Sequence, residues 1–124
     1  MNLYTLALLW QARQSGYKIA TVLFRGANGL PITTPILSYS GSWKDAGFAI
    51  EYVNKKYVCD PKTNVKRTRL YAFGTSLGAI ILGMYLGKSG KKASEVLDAA
   101  VIYGVPWSIS KGYKFFYENF YGLY

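Results

Sequence analysis

The stretch that decides the fold is Leu70-Tyr71-Ala72-Phe73-Gly74-Thr75-Ser76-Leu77-Gly78-Ala79-Ile80-Ile81. It opens with an apolar and aromatic run that predicts a buried strand. It then passes through Gly-x-Ser-x-Gly into a second apolar run, residues 77–86, which we interpret as a packed helix. This order of strand, glycine-flanked serine and helix is typical of a nucleophile elbow.

The elbow assigns a chemical role to each of its residues. Ser76 is the candidate nucleophile, because a sharp strand-to-helix turn exposes the serine on strained backbone. Gly74 and Gly78 lie two residues before and two after it, where we expect a side chain to collide. The new helix points its free N–H groups at an oxyanion, so the backbone N–H of Leu77 is predicted to form half of an oxyanion hole. The alternative is a tight strand-helix turn in another kind of α/β domain.

The rest of the chain alternates helices and strands around this point. The predicted elements are a helix from Leu3 to Arg13 that stops at Ser15-Gly16, a strand Tyr17–Phe24, a helix from Trp43 to Tyr57 with Ser42 and Asp45 as a capping box, a strand Ala99–Gly104, and a helix in the aromatic tail Lys111–Tyr124.

This alternation predicts one partial α/β domain over residues 1–124, with a parallel sheet of about three strands and helices on both faces. Ligands in such sheets bind at the carboxyl ends of the strands. We therefore expect Arg25-Gly26, Ser76 and Pro106-Trp107 to gather at one edge.

Composition excludes some classes of protein. Hydrophobic residues make up 51% of the chain, which favours a folded domain over a disordered one. The longest apolar stretches are too short to span a bilayer, and the start of the chain does not resemble a signal peptide, so we expect a cytoplasmic or membrane-associated protein. The single cysteine, Cys59, cannot form an internal disulfide. We predict no cofactor and no metal site.

The formal net charge is +9, from 15 Lys and Arg residues against 6 acids. The cations cluster before the elbow strand and again after its helix: Lys55, Lys56, Lys62, Lys66, Arg67 and Arg69, then Lys88, Lys91 and Lys92. Such a surface could bind a polyanion or make a weak contact with an anionic membrane, although a solvated loop is the commoner explanation. No nucleic-acid-binding signature accompanies it, so nucleic acid is not an expected partner.

Several of these segments together resemble the middle of α/β-hydrolase-domain esterases and lipases. The resemblance lies in Tyr17 to Arg25-Gly26, Ile32-Thr33-Thr34-Pro35, Tyr39-Ser40-Gly41-Ser42, Asp45, Gly74 to Ala79 and Val105-Pro106-Trp107. The branch that looks most similar includes medium-chain fatty-acid ethyl ester synthase/esterases and related acylglycerol and phospholipid hydrolases. The chain departs from it at Leu23, where that branch usually has asparagine.

The resemblance implies a serine esterase or lipase acting on an acyl ester or a lipid. In the family a histidine takes the serine proton and an acid orients that histidine. This sequence contains no histidine at all. The acid and the histidine would come from strands that follow the last one seen here, and the second oxyanion donor from a loop before the first helix. We therefore expect a segment, or a truncated gene product, that is inactive by itself.

Two other interpretations remain open. The chain could be a non-catalytic relative that acts as a scaffold or subunit, with a partner chain completing the sheet. It could also be a basic module that binds polyanions or an anionic membrane.

Overall fold

The computed structural model describes residues 3–120. The chain forms two compact units that divide between Ser38 and Tyr39. The expectation of a single domain stays a prediction.

The first unit begins with helix α1, Leu3–Gln14. As predicted, the helix stops at Ser15-Gly16, and the φ of Gly16, 83°, lies in the left-handed region. The N–H of Gly16 donates to the Arg13 carbonyl at 3.0 Å, and that of Tyr17 to the Ala12 carbonyl at 3.1 Å. This pair of bonds is a Schellman motif, which satisfies carbonyls that the helix end would leave without donors.

The predicted strand Tyr17–Phe24 is wrong. These residues belong to no strand, and Tyr17 to Leu23 are all exposed. A central strand of a parallel sheet needs a neighbour on each side to bond its backbone groups. This segment has no paired neighbour among the described residues, so its apolar composition alone does not make it a strand.

The second unit holds the remaining elements. They are α2 (Trp43–Val53), a π-helical continuation (Asn54–Val58), β1 (Tyr71–Thr75), α3 (Leu77–Ser89), α4 (Lys91–Val96), β2 (Ala99–Tyr103) and α5 (Ile109–Phe120). The tail prediction is thus confirmed as far as Phe120, and Tyr121–Tyr124 lie outside the described residues. The short helix α4 was not predicted, because its polar sequence carries little helical periodicity.

Strands β1 and β2 pair in parallel, with Tyr71 opposite Ala99 and Thr75 opposite Tyr103. Two parallel strands joined through helices confirm the α/β class. The described residues contain two strands rather than about three, because segment 17–24 does not pair.

The core of this unit lies on one face of the sheet. Its buried cluster is Leu82, Tyr85, Ala93 and Leu97, packed against Trp43, Ile50, Leu70, Ala72, Leu86, Ala100 and Ile102. The opposite face carries Tyr71, Phe73, Val101 and Tyr103, all exposed. In the described part of this unit α2, α3 and α4 pack on one face of the sheet, and helices on its other face stay a prediction.

Both ends of α2 differ from the sequence expectation. Ser42 Oγ makes no capping bond to the helix. It accepts the Tyr39 N–H at 3.0 Å instead, which closes the preceding turn. At the other end, the N–H of Cys59 donates to the Asn54 carbonyl five residues earlier. This wider turn buries Val58 and leaves Tyr57 exposed, the reverse of what α-helical spacing predicts.

Candidate active site

Ser76 is the residue at which β1 becomes α3. Its φ is 52° and its ψ is −120°, a left-handed combination that non-glycine residues rarely adopt. Holding a serine there costs about 1–3 kcal/mol, which the surrounding structure must offset. The residue is exposed, and its side chain makes no capping bond to α3. The hydroxyl is therefore left at the surface of the turn.

Gly74 supplies the room that this turn needs. A Cβ on Gly74 would lie 2.6 Å from the Gly78 carbonyl oxygen and 3.0 Å from Ala79 Cα. Any larger residue would therefore push β1 away from the start of α3. The same steric reason does not apply to Gly78, where a Cβ would meet nothing within 4 Å.

The start of α3 offers backbone N–H groups beside Ser76. The Ser76 carbonyl accepts the N–H of Ala79 at 3.0 Å and that of Ile80 at 3.2 Å. The first residues of the helix are Leu77 and Gly78, and N–H groups at these positions have no intrahelical acceptor. With the positive end of the helix dipole, they can stabilise an anion that forms next to Ser76.

The end of β2 braces the elbow. The N–H of Ser76 donates to the Tyr103 carbonyl at 3.1 Å, which extends the strand pairing by one residue. Gly104, with φ 63°, then turns the chain away toward Pro106 and Trp107. The carboxyl ends of both strands therefore meet at one edge, with Ser76 on it. Arg25-Gly26 belongs to the other unit, and its place at this edge stays a prediction.

Asp98 secures the opposite end of the strand pair, and sequence reasoning missed it. Its Oδ2 accepts the Leu70 N–H at 2.7 Å and Lys66 Nζ at 2.9 Å, while its own N–H donates to the Leu70 carbonyl at 2.9 Å. The Leu70 N–H, with help from Lys66, holds the pKa of Asp98 below its ordinary value of 3.8. The only sequence signal was an acid directly before a strand.

Ion pairs occupy part of the basic cluster that precedes β1. Arg67 pairs with Asp60, and Lys66 with Asp98. Lys56 Nζ donates to the Tyr52 hydroxyl at 2.7 Å, and this contact raises the pKa of Lys56. In the second cluster, Lys92 Nζ lies 2.7 Å from Glu51 Oε1. Several of these cations thus already have a partner within the chain.

The described residues hold no group of three or more acidic, cysteine or histidine side chains that could bind a metal ion. No helix within residues 3–120 is both long enough and apolar enough to span a membrane.

Comparison with known proteins gives one informative match. No family model matches the chain, and neither does a solved structure. The chain is similar to the Caenorhabditis elegans protein abhd-3.2, with 29% identity over 104 residues. The match covers 84% of this chain and 25% of the relative, so the chain spans about a quarter of the length of the curated protein it matches. This similarity supports a distant relationship to α/β-hydrolase-domain proteins and favours no particular branch.

Proposed function

We propose that the chain carries the nucleophile elbow of a serine carboxylic-ester hydrolase of the α/β-hydrolase superfamily. The observation that supports this most is the backbone of Ser76: a left-handed, exposed serine between a parallel strand and the first turn of a helix. The distant similarity to an α/β-hydrolase-domain protein agrees with it.

In this proposal Ser76 Oγ attacks the carbonyl carbon of an acyl ester. The Leu77 N–H then donates to the oxyanion of the tetrahedral intermediate. Its collapse breaks the ester C–O bond, the alcohol leaves with the proton taken from Ser76, and water hydrolyses the acyl group that remains on Ser76. The attack needs a base for the serine proton, and this sequence has no histidine. We assign the base, the orienting acid and the second oxyanion donor to a longer protein of which this chain is a part. A serine without its base keeps only a small share of triad activity, so the isolated chain should be inactive.

The substrate class in this proposal is an acyl ester or a lipid. It rests on the sequence resemblance to fatty-acid ethyl ester synthase/esterases and to acylglycerol and phospholipid hydrolases. The exposed aromatic side chains near the elbow edge, Tyr103 and Trp107, suit an apolar acyl chain.

A fluorophosphonate probe tests the nucleophile on the full-length protein. We expect one covalent adduct, located on the peptide that contains Ser76, and its loss in Ser76→Ala. Ser110→Ala is the matched control, because Ser110 is also an exposed serine of this unit, at the start of α5. A folded full-length protein that takes no label at Ser76 would contradict the proposal.

A non-catalytic scaffold or subunit is the second candidate. Two observations favour it: the chain lacks histidine, and the described sheet has two strands with an exposed apolar face. Such a protein would recruit a partner chain to extend the sheet. Size-exclusion chromatography discriminates, because this candidate requires a stoichiometric complex, and a stable lone monomer would exclude it.

A basic module that binds polyanions is the third candidate, and its support is the net charge alone. Retention on heparin that falls steeply with salt would favour it. Retention that is absent at low salt would exclude it.

A further inference from the structure

Helix α5 carries four apolar or aromatic residues along one face. The spacing of Ile109, Tyr113, Phe116 and Tyr117 places them on one side of the helix. Each of these four side chains remains 45–70% exposed, and the rings of Tyr113 and Tyr117 stack with centroids 6.2 Å apart. The second unit therefore presents an aromatic surface that its own core does not use.

The other side of α5 is charged. Lys111, Lys114 and Glu118 lie there, all exposed, and Lys114 Nζ approaches Glu118 Oε1 to 3.7 Å. Phe115, 56% exposed, lies beside Lys111 at the edge of this side. The two lysines exceed the single acid, in keeping with the net charge of +9 for the whole chain. An anionic surface would attract this helix with its aromatic face turned inward.

Alone in water, α5 would be a marginal helix. Ser108 Oγ accepts the Lys111 N–H at 3.3 Å and so caps the start of the helix. The helix is only 12 residues long, and it contains Gly112. Isolated helices of this length are marginal, and an interior glycine costs about 1 kcal/mol relative to alanine. A surface that buries the aromatic face would stabilise it.

The chemistry of the face favours lipid as that surface. Against a dry protein surface, the hydroxyls of Tyr113 and Tyr117 would each need a dedicated partner. At the level of lipid headgroups, water and phosphate provide those partners while the rings contact acyl chains. We propose that α5 lies flat in the surface of an anionic bilayer, with Ile109, Phe116 and the two tyrosine rings inserted.

Helix α5 lies close in the chain to the edge of the sheet that carries Ser76. The helix follows β2 closely in the chain, and the last residue of β2, Tyr103, accepts the Ser76 N–H at 3.1 Å. Trp107, 81% exposed, lies in the connection between β2 and α5. Insertion of α5 would thus hold the elbow edge at the bilayer. The contact itself does not depend on acyl transfer, so it goes beyond the proposed function.

Vesicle flotation of the 124-residue chain tests the proposal. We expect the chain to float with vesicles containing about 30% phosphatidylserine, and much less with pure phosphatidylcholine, because the contact needs anionic headgroups. Phe116→Ala should weaken binding about tenfold, since it removes an inserted ring. Ile109→Ser is a second variant on the same face and should act in the same direction.

Phe48→Ala is the matched control. It removes the same side chain from α2, where Phe48 is 78% exposed, and it should leave binding unchanged within about twofold. Absence of flotation would overturn the proposal, as would equal losses in the Phe116 and Phe48 variants. A dimer that Phe116→Ala dissociates, without flotation, would show that a second copy covers the face instead.

The same flotation with Ser76→Ala separates this proposal from the proposed function. Flotation should be unchanged in that variant. If the chain floats but the full-length protein is not labelled at Ser76, only the hydrolase proposal is contradicted. If Ser76 is labelled but the chain does not float, only the membrane contact is contradicted.

Discussion

Segments 17–24 and 71–75 are both apolar runs followed by a glycine-containing turn, yet they have different structures. The five residues of β1 each pair with a residue of β2, and α3 packs against them. Residues 17–24 belong to no strand, and nearly all are exposed.

The difference shows what a strand needs beyond composition. β-branched and aromatic residues favour extended backbone, but the ladder bonds must come from a neighbour. For β1 that neighbour is β2. Residues 76–98, which include α3 and α4, return the chain to the sheet so that β2 can pair with β1. Segment 17–24 has no such return within residues 3–120.

The largest expected effect comes from the buried side of α3. Ile81, on α3, is 1% exposed, and Leu23, in segment 17–24, is 47% exposed. Ile81→Ala should lower the free energy of unfolding by about 3 kcal/mol, through lost burial and the cavity left behind. Leu23→Ala should change it by less than about 0.5 kcal/mol. Urea unfolding followed by tryptophan fluorescence measures both, and equal losses would remove the distinction between the two regions.

Gly74→Ala should have the next largest effect. The new Cβ would overlap the backbone of Gly78 and Ala79, so β1 and α3 must separate, at a cost of about 2 kcal/mol. Gly87→Ala is the matched control within α3, where a Cβ meets nothing within 4 Å. It should be neutral or slightly stabilising, because alanine favours helix. Thermal unfolding compares them, and similar melting temperatures would argue against a tight elbow.

Ser76→Gly should stabilise the protein by about 1 kcal/mol, because glycine adopts a positive φ without a steric penalty. Ser76→Ala keeps the Cβ and therefore the strain, so it should not gain stability. Urea unfolding of the two variants side by side isolates the backbone contribution. A stabilisation shared by both would mean that the strain at Ser76 is absent.

Asp98→Asn should produce the smallest change, and it should appear as a pH dependence. The pKa of Asp98 is lowered in the folded state, so its contribution is present above the ordinary pKa and is lost as pH falls through the folded one. Asp98→Asn should therefore be less stable than the wild type at neutral pH, and the difference between the two should shrink as the pH falls.

Unfolding at a series of pH values measures the Asp98 contribution. Lys66→Gln is the control, because it removes the ion pair and leaves the Leu70 N–H bond, so its loss should be smaller. A wild-type acid profile identical to that of Asp98→Asn would contradict the assignment.

The sequence correctly predicted the turns whose conformation depends on residues within the turn itself. Gly-x-Ser-x-Gly predicted the strand-to-helix turn, and Gly16 the end of α1. The failures depend on which of several possible partners a side chain bonds, and the sequence pattern does not specify that choice. Ser42 bonds back to Tyr39 rather than capping α2, and Asp98 meets Leu70 28 residues away along the chain.

The most direct test of this account is the backbone conformation of Ser76 in solution by NMR. We expect a positive φ, seen as a strong intraresidue NOE between the Ser76 amide and α protons, together with NOEs across the β1–β2 pair. A negative φ at Ser76, with helical NOEs running unbroken from residue 74 into α3, would contradict it.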